Sequence, residues 1–406
     1  MREALLDNGI RVITERRPDV RSAAVGVWVE QGSAHESPES AGVSHLMEHL
    51  VFKGTERRTA HEIALSLESL GGSLDAYTTR EHTSYQAHVL DEHLPVALDV
   101  LADLVLHPRL DPADLELEKD VVIEEIAGVE DTPDDLIFDL HGAEFWRGHT
   151  YGRPILGTRE TVRAFQIDDL RSLHAERYRG RNMVLGCVGN IEHDEVLKRL
   201  TELFGEVDPG SASAGIAEPV ETSTGRSSFV RDAAQAHLVI SNSTPSFTDP
   251  IRDALILISG AFGGGMSSRL FQRIREELAL AYAVYSFQSF YSKAGMAGVY
   301  VGTRPEASDE ALEAILGEYA KLCEHGIAGE ELEQAKSHAK GRSILAMEST
   351  GARLLRLVGF TLRGEPYRDL DQSLARIDAV TPDEVSAACR RFYNPEDQFI
   401  LTLGPE

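Results

Sequence analysis

Cysteine is scarce in this chain: Cys187, Cys323 and Cys389 are the only three in 406 residues. They lie far apart, which fits neither a disulfide framework nor a CxxC metal site, and a reducing, cytoplasmic setting is the default expectation. Long hydrophobic runs are missing too. No stretch of about 18 uncharged apolar residues occurs, so no helix is expected to span a membrane. The opening, MREALLDNGIRVITERRPD, has acids and arginines where a secretory signal needs an apolar centre. Positive charge is in short supply, with 40 Lys and Arg against 66 Asp and Glu and a formal charge of −26. That field repels nucleic acid and anionic membrane, and it draws in cations and basic peptides. A heavily solvated acidic surface accounts for the same numbers, so charge excludes more here than it identifies.

What is present is enough for two cores. The chain is 42% hydrophobic, and its length suits two domains of about 200 residues each. The clearest break is GEVDPGSASAGIAEPVETSTGRSS, rich in Gly, Ser, Pro and Thr and poor in apolar periodicity. It predicts a first domain over 1–210, a linker over 211–228 and a second domain over 229–406. The two parts end alike, in IDDLRSLHAERYRGRNMVLGCVGN and TPDEVSAACRRFYNPEDQFILTLG. Each has an acidic helix start, an Arg-aromatic pair and an alternating apolar strand closing on Gly. The pattern predicts strands at 11–13, 23–30 and 236–243, helices at 44–53 and 268–278, and a strand pair after each helix. We therefore expect an α+β fold of two homologous units, each an antiparallel sheet covered on one face by helices and joined to the other by the linker.

Within the first unit, AGVSHLMEHLVFKG sets His45, Glu48 and His49 in one apolar stretch. The histidines stand four positions apart, so on a helix both project from one face, with Glu48 beside them. Ser44 is placed to cap that helix. Two imidazoles on adjacent turns can hold one Zn²⁺ at about 2.0–2.1 Å, with a carboxylate beside it. HxxEH is a signature of zinc proteases of the inverzincin type. Five letters also fit a helix with solvated histidines, but Leu46, Leu50, Val51 and Phe52 put this helix against a core, where unpaired polar groups are costly. A hydrolytic site needs a third ligand and an open position. DPADLELEKDVVIEEIAGVEDTPDDL offers Glu118 and Glu125, two turns apart on one face, with Leu117, Val121, Val122 and Ile126 as the expected apolar stripe. Glu125 is the expected ligand, and Glu118 the carboxylate that supports it. The glycine-rich GAFGGGMSSRL lacks the GK[ST] ending of a phosphate loop.

These residues resemble the pitrilysin/insulinase family of zinc peptidases, nearest its short-chain branch with the mitochondrial processing peptidase β-subunit and bacterial relatives. The likeness is carried by GVSHLMEHLVFKGT, GGSLDAYTTREHTSY, EKDVVIEEI, GRPILGT and GGGMSSRLFQRIREELALAY, and Glu125 follows His45 by 80 positions. It covers essentially the whole chain. The resemblance implies that His45, His49 and Glu125 bind one Zn²⁺ per chain and that Glu48 is the general base of peptide hydrolysis. It assigns Arg275 and Tyr282 to substrate binding and oxyanion stabilisation, in keeping with a guanidinium and a phenol as donors. It makes SLDAYTTREHTSY an edge strand that takes up substrate main chain through Asp75, Ala76 and Tyr77. Asp75 stands where the family often has Asn, which leaves its side-chain contact open.

Because the chain carries both HxxEH and the Arg/Tyr pair, the resemblance implies a homodimer acting on unfolded peptides, with basic ones favoured by the charge. Two other readings stand beside this one: a catalytically silent scaffold, and a peptide-binding subunit of a heteromeric processing peptidase. Such chains lose part of the metal set, and here every ligand position is filled.

Overall fold

The run SAAVGVWV becomes the middle of a sheet because its small and β-branched residues fill a pleated surface covered on both sides. The computed structural model of the chain describes residues 1–405 apart from 213, 214, 219 and 328. Its first sheet comprises β1 (Arg2–Leu5), β2 (Arg11–Arg16), β3 (Ser22–Val29), β4 (Ser73–Thr78), β5 (Thr83–Leu90) and β6 (Met183–Gly189), in the order β1-β2-β6-β3-β5-β4. The second comprises β7 (Gly225–Val230), β8 (Ala236–Thr244), β9 (Ala281–Phe290), β10 (Gly295–Thr303) and β11 (Phe399–Gly404), in the order β7-β11-β8-β10-β9. Stepping through the chain, β2 to β6 occupy the same relative places as β7 to β11. The repeat expected from the matching ends of the halves is therefore a repeat of topology. Each sheet is antiparallel except for one parallel pair, β2 with β6 and β7 with β11.

The helices in chain order are α1 (Val43–Val51), α2 (Ala60–Glu68), α3 (Leu94–Leu106), α4 (Pro112–Asp131), α5 (Pro133–Phe145), α6 (Arg159–Ala164), α7 (Ile167–Arg177) and α8 (His193–Phe204). After β8 come α9 (Arg252–Gly263), α10 (Ser308–His325), α11 (Glu330–Ala346), α12 (Thr350–Leu362), α13 (Leu370–Ala379) and α14 (Pro382–Phe392). A seven-residue π-helical turn, Phe271–Glu277, takes the place of the helix expected over 268–278. The other expected strands and the 44–53 helix appear within three residues of their expected bounds.

The chain does not divide at a single linker. One unit gathers Met1–Ala127, Arg153–Ile216 and Ala346–Tyr367, and the other Gly128–Gly152, Ala217–Leu345 and Arg368–Glu406. Of the linker expected over 211–228, residues 213, 214 and 219 lie outside the described residues, and its last four belong to β7. In the first unit one face of the sheet packs through Val25, Val27, Tyr85 and Ala87 against helices that include α1, α3 and α4. Its other face, with Ile13, Ala24, Trp28 and Val188, is covered by Leu354, Leu357 and Val358 of α12. Each of those three side chains is worth about 1.5–3 kcal/mol when fully buried. In the second unit α5 does the equivalent: Phe138 stacks on Tyr300 at 5.7 Å, and Phe145 meets Phe399 at 6.2 Å. Each sheet is thus covered on both faces rather than one, by a helix drawn from the other half of the sequence.

Candidate metal centre

The helix that carries HxxEH starts at Gly42 rather than at Ser44. Gly42 has φ 93°, in the left-handed region that favours glycine, and a Cβ there would fall 2.6 Å from the Leu156 carbonyl oxygen. Gly157, at φ 75°, packs against the same turn, with space for a Cβ closed by Ala41 O at 2.3 Å. Ser44, the expected cap, lies inside α1. The orphan donors of the helix start are instead held by Glu36, whose two carboxylate oxygens accept from Gly42 N and Ser44 N at 2.8 Å each. Burial pushes the Glu36 carboxyl up from its ordinary value, and these two bonds oppose that shift. The Ser44 hydroxyl accepts from Gln31 Nε2 at 3.0 Å. A deeply buried acid and amide therefore fix where α1 begins.

Leu46, Met47, Leu50 and Val51 are buried, which leaves His45, Glu48 and His49 on the remaining, half-open face of α1. The two imidazole centroids stand 4.6 Å apart. Glu125, from α4, lies opposite, its Oε2 3.7 Å from His45 Nε2 and its Oε1 3.7 Å from His49 Nε2. One donor atom from each of the three residues falls within 4.8 Å of the others. Atoms each about 2.0–2.2 Å from a common ion are separated by no more than roughly 4.4 Å, so small adjustments close the set around Zn²⁺. Two nitrogens and one carboxylate also match the softness of that ion. Burial, and secondarily His49, push the His45 ring down to about 4, so at neutral pH it is uncharged and keeps a lone pair to donate.

Glu118 stands beside the ligand His49, in keeping with the supporting role expected from the sequence. The buried residues of α4 are Leu115, Glu118, Lys119, Val122, Ile123 and Ile126, so Val122 and Ile126 are buried as expected, whereas Leu117 and Val121, expected in the same stripe, are exposed. Glu118 is 4% exposed, and its Oε2 accepts from His49 Nδ1 at 3.0 Å while Oε1 accepts from Lys53 Nζ. A carboxylate can only accept, so Nδ1 carries the proton and Nε2 keeps the lone pair. His45 has no such support: its Nδ1 is buried without a partner among the described residues. Glu48 accepts a hydrogen bond from Thr78 Oγ1. Burial raises the Glu48 carboxyl from its ordinary value; that bond and His49 oppose the rise. Neither Glu36 nor Thr78 was singled out in the sequence. The alternation of β4 does put Thr78 on the same face as Ala76, the one signal available for it.

The remaining site residues divide between the units. Asp75, Ala76 and Tyr77 lie on β4, which among the described residues pairs only with β5 and so leaves its outer edge open. Ala76 sits opposite Tyr85 on the core side, whereas Asp75 and Tyr77 sit opposite Gln86 and Ser84 on the other face. Arg275 and Tyr282 belong to the second unit. Arg275 lies in the π-helical turn Phe271–Glu277 and Tyr282 in β9. The chain reverses near Ala279 (φ 49°), and this brings the Arg275 guanidinium 4.7 Å from the Tyr282 ring centroid, with Nη1 donating to Tyr282 O at 3.1 Å.

A duplicated sheet-and-helix unit with two histidines and a glutamate converging beside a second glutamate is the architecture of a metallopeptidase-like protein. Residues 11–159 match the family model described as insulinase (peptidase family M16), and residues 164–338 match the model described as the peptidase M16 inactive domain. The chain belongs to the M16 (insulinase) family. The uncharacterized zinc protease YmxG of Bacillus subtilis is 38% identical over 98% of this chain and 97% of its own length. An uncharacterized zinc protease of Mycobacterium leprae is 40% identical over 98% of this chain and 91% of its own. Two solved structures share the fold. A peptidase M16 inactive domain from Pseudomonas fluorescens has a TM-score of 0.93 at 20% identity, covering 100% of this chain and 98% of that one. A protease from Helicobacter pylori has a TM-score of 0.92 at 19% identity, covering 100% of this chain and 99% of that one. No helix among the described residues is long and apolar enough to cross a membrane.

Proposed function

We propose that the chain is a zinc-dependent endopeptidase that hydrolyses unfolded peptides, with one Zn²⁺ held by His45, His49 and Glu125 and with Glu48 as general base. The observation that carries this reading is the convergence of three donor atoms within 4.8 Å beside a half-buried carboxylate on the helix of the two histidines. Zinc held there supplies Lewis acidity to a water and to a peptide carbonyl. The protein's own groups do the rest. Glu118 keeps the proton of His49 on Nδ1, and Glu48 takes a proton from the attacking water. The water oxygen bonds to the carbonyl carbon, the C–N bond breaks, and Glu48 returns its proton to the leaving nitrogen. The open edge of β4 is suited to main-chain pairing with an extended substrate at Ala76 and Tyr77. Arg275 and Tyr282 keep their place in this proposal as donors to developing negative charge.

The same reading includes a homodimer, a cytoplasmic setting and a preference for Arg- or Lys-bearing peptides, which the formal charge of −26 supports. A complete donor set speaks against a silent scaffold or a purely peptide-binding subunit. The test uses the purified chain and an unstructured peptide. Cleavage is expected with about one zinc per chain, is lost with chelator and returns on adding zinc, while Glu48→Gln keeps the zinc and loses cleavage. Cleavage that survives complete metal removal, or a fully active Glu48→Gln variant, would refute the assignment.

A further inference from the structure

We propose that Thr78 is the positioning residue for the base: its hydroxyl proton occupies one oxygen of Glu48 and reserves the other for the proton taken from water. The proposal rests on the peptidase reading above and names a residue in that site with no role assigned so far. Thr78 closes β4, and its Oγ1 has two acceptors in reach, Glu48 Oε2 and Thr83 Oγ1 at 3.4 Å. A threonine hydroxyl has one proton to give. Thr83 has already committed its own, to Gln31 O at 2.9 Å, so towards Thr78 it can only accept. Between a neutral hydroxyl at the limit of bonding distance and a closer carboxylate, the charged acceptor wins, because such bonds are roughly twice as strong. The Thr78 proton therefore faces Glu48 Oε2.

Two consequences follow for the chemistry. A proton placed on Oε2 would turn the Thr78 proton away to the neutral Thr83 Oγ1 at 3.4 Å, a weaker bond than the one to the carboxylate, so the mobile proton is favoured on Oε1, for which no donor is found among the described residues. During turnover Oε1 takes the proton from water and passes it to the leaving nitrogen, while Thr78 keeps its own throughout. The second consequence links binding to chemistry. Thr78 belongs to the strand whose open edge is proposed to take up substrate, so a peptide that stiffens β4 also stiffens the group that holds the base. Orientation of a general base governs part of a contribution of about 10²–10⁴-fold.

Thr78→Val keeps the shape and the β-branch while removing the proton. With zinc loaded, kcat is expected to fall about 10- to 100-fold, with KM within about twofold of the wild type. Zinc content, and the affinity of the metal-free protein for a fluorescently labelled peptide, should stay unchanged. Thr78→Ser, which restores a hydroxyl, should return kcat to within about threefold. If Thr78→Val does not fold, Thr78→Ala removes the same proton with less bulk. Wild-type kcat in the Val or Ala variant, an equal loss in Thr78→Ser, or a change in KM alone overturns the role. A wild type that cleaves with an equally active Val variant removes only the role of Thr78. A zinc-loaded wild type that cleaves nothing removes the peptidase reading and this role together.

Discussion

Replacing Glu118 with Gln tests the organisation of the metal centre more sharply than removing a ligand, because it changes no candidate ligand and almost no volume. Glu118 is 4% exposed and must accept from two donors at once, His49 Nδ1 and Lys53 Nζ. An amide has one acceptor oxygen and one donor nitrogen, so either orientation fails. With its oxygen towards His49, the NH₂ faces the Lys53 ammonium, donor against donor. With its oxygen towards Lys53, the NH₂ donates to Nδ1 and drives the His49 proton to Nε2, the atom that should hold the metal. Losing one partner of a buried bond costs about 1–3 kcal/mol. Supporting carboxylates of this kind are typically worth 10- to 100-fold in metal affinity, or about 1.4–2.7 kcal/mol, in agreement with that figure. The assay is competition for Zn²⁺ against a chromophoric chelator at neutral pH, comparing wild type with Glu118→Gln and with exposed Glu124→Gln as control. A dissociation constant raised at least tenfold in the first and unchanged in the second is expected. Equal affinity in all three proteins would show that Glu118 does not set the His49 tautomer, and the argument from acceptor counting would fall.

Two further predictions concern the scaffold. Gly42→Ala places a Cβ 2.6 Å from Leu156 O at a φ of 93°, and strain of this kind costs about 1–3 kcal/mol. Urea unfolding should show that loss, and an unchanged midpoint would remove Gly42 as the determinant of where α1 starts. In the second unit His141 is fully buried with Nε2 2.7 Å from Ser241 Oγ, and burial pushes its ring down to about 3 from an ordinary 6.5. The unfolded chain therefore takes up a proton below pH 6.5 that the native protein refuses. The stability that depends on neutral His141 is complete above pH 6.5 and is lost as the pH falls towards 3, with a slope approaching about 1.4 kcal/mol per pH unit. His141→Gln should flatten the fall in unfolding free energy between pH 6 and 4, and parallel curves for the two proteins would count against a neutral buried ring.

The reach of the sequence is clearest at α1. An i, i+4 histidine pair beside buried leucines announces a helix with one chemical face and one packed face, since both follow from the local 3.6-residue repeat. The same repeat put Glu118 and Glu125 on one side of α4. Half of the expected apolar stripe is right, since Val122 and Ile126 are buried, but Leu117 and Val121 are exposed and the charged Glu118 is buried in their place. A stripe chosen by hydrophobicity cannot include a glutamate whose burial depends on a histidine 69 residues earlier. The start of α1 was displaced for a similar reason: Glu36, six and eight residues before the groups it caps, leaves no local capping pattern.

The sequence by itself determined the helix bearing His45, Glu48 and His49 and the acids that share a face of α4, because these are written in periodicities of a few helical turns, and it determined the two repeated sheets because the halves end in matching segments. Tertiary structure alone decided that α5 and α12 each cover the sheet of the opposite half, that Thr78 reaches Glu48, and that His49 is the ligand Glu118 bonds to. An apolar stripe shows that a helix must be buried and says nothing of which sheet will bury it. That choice belongs to the packing of the whole chain.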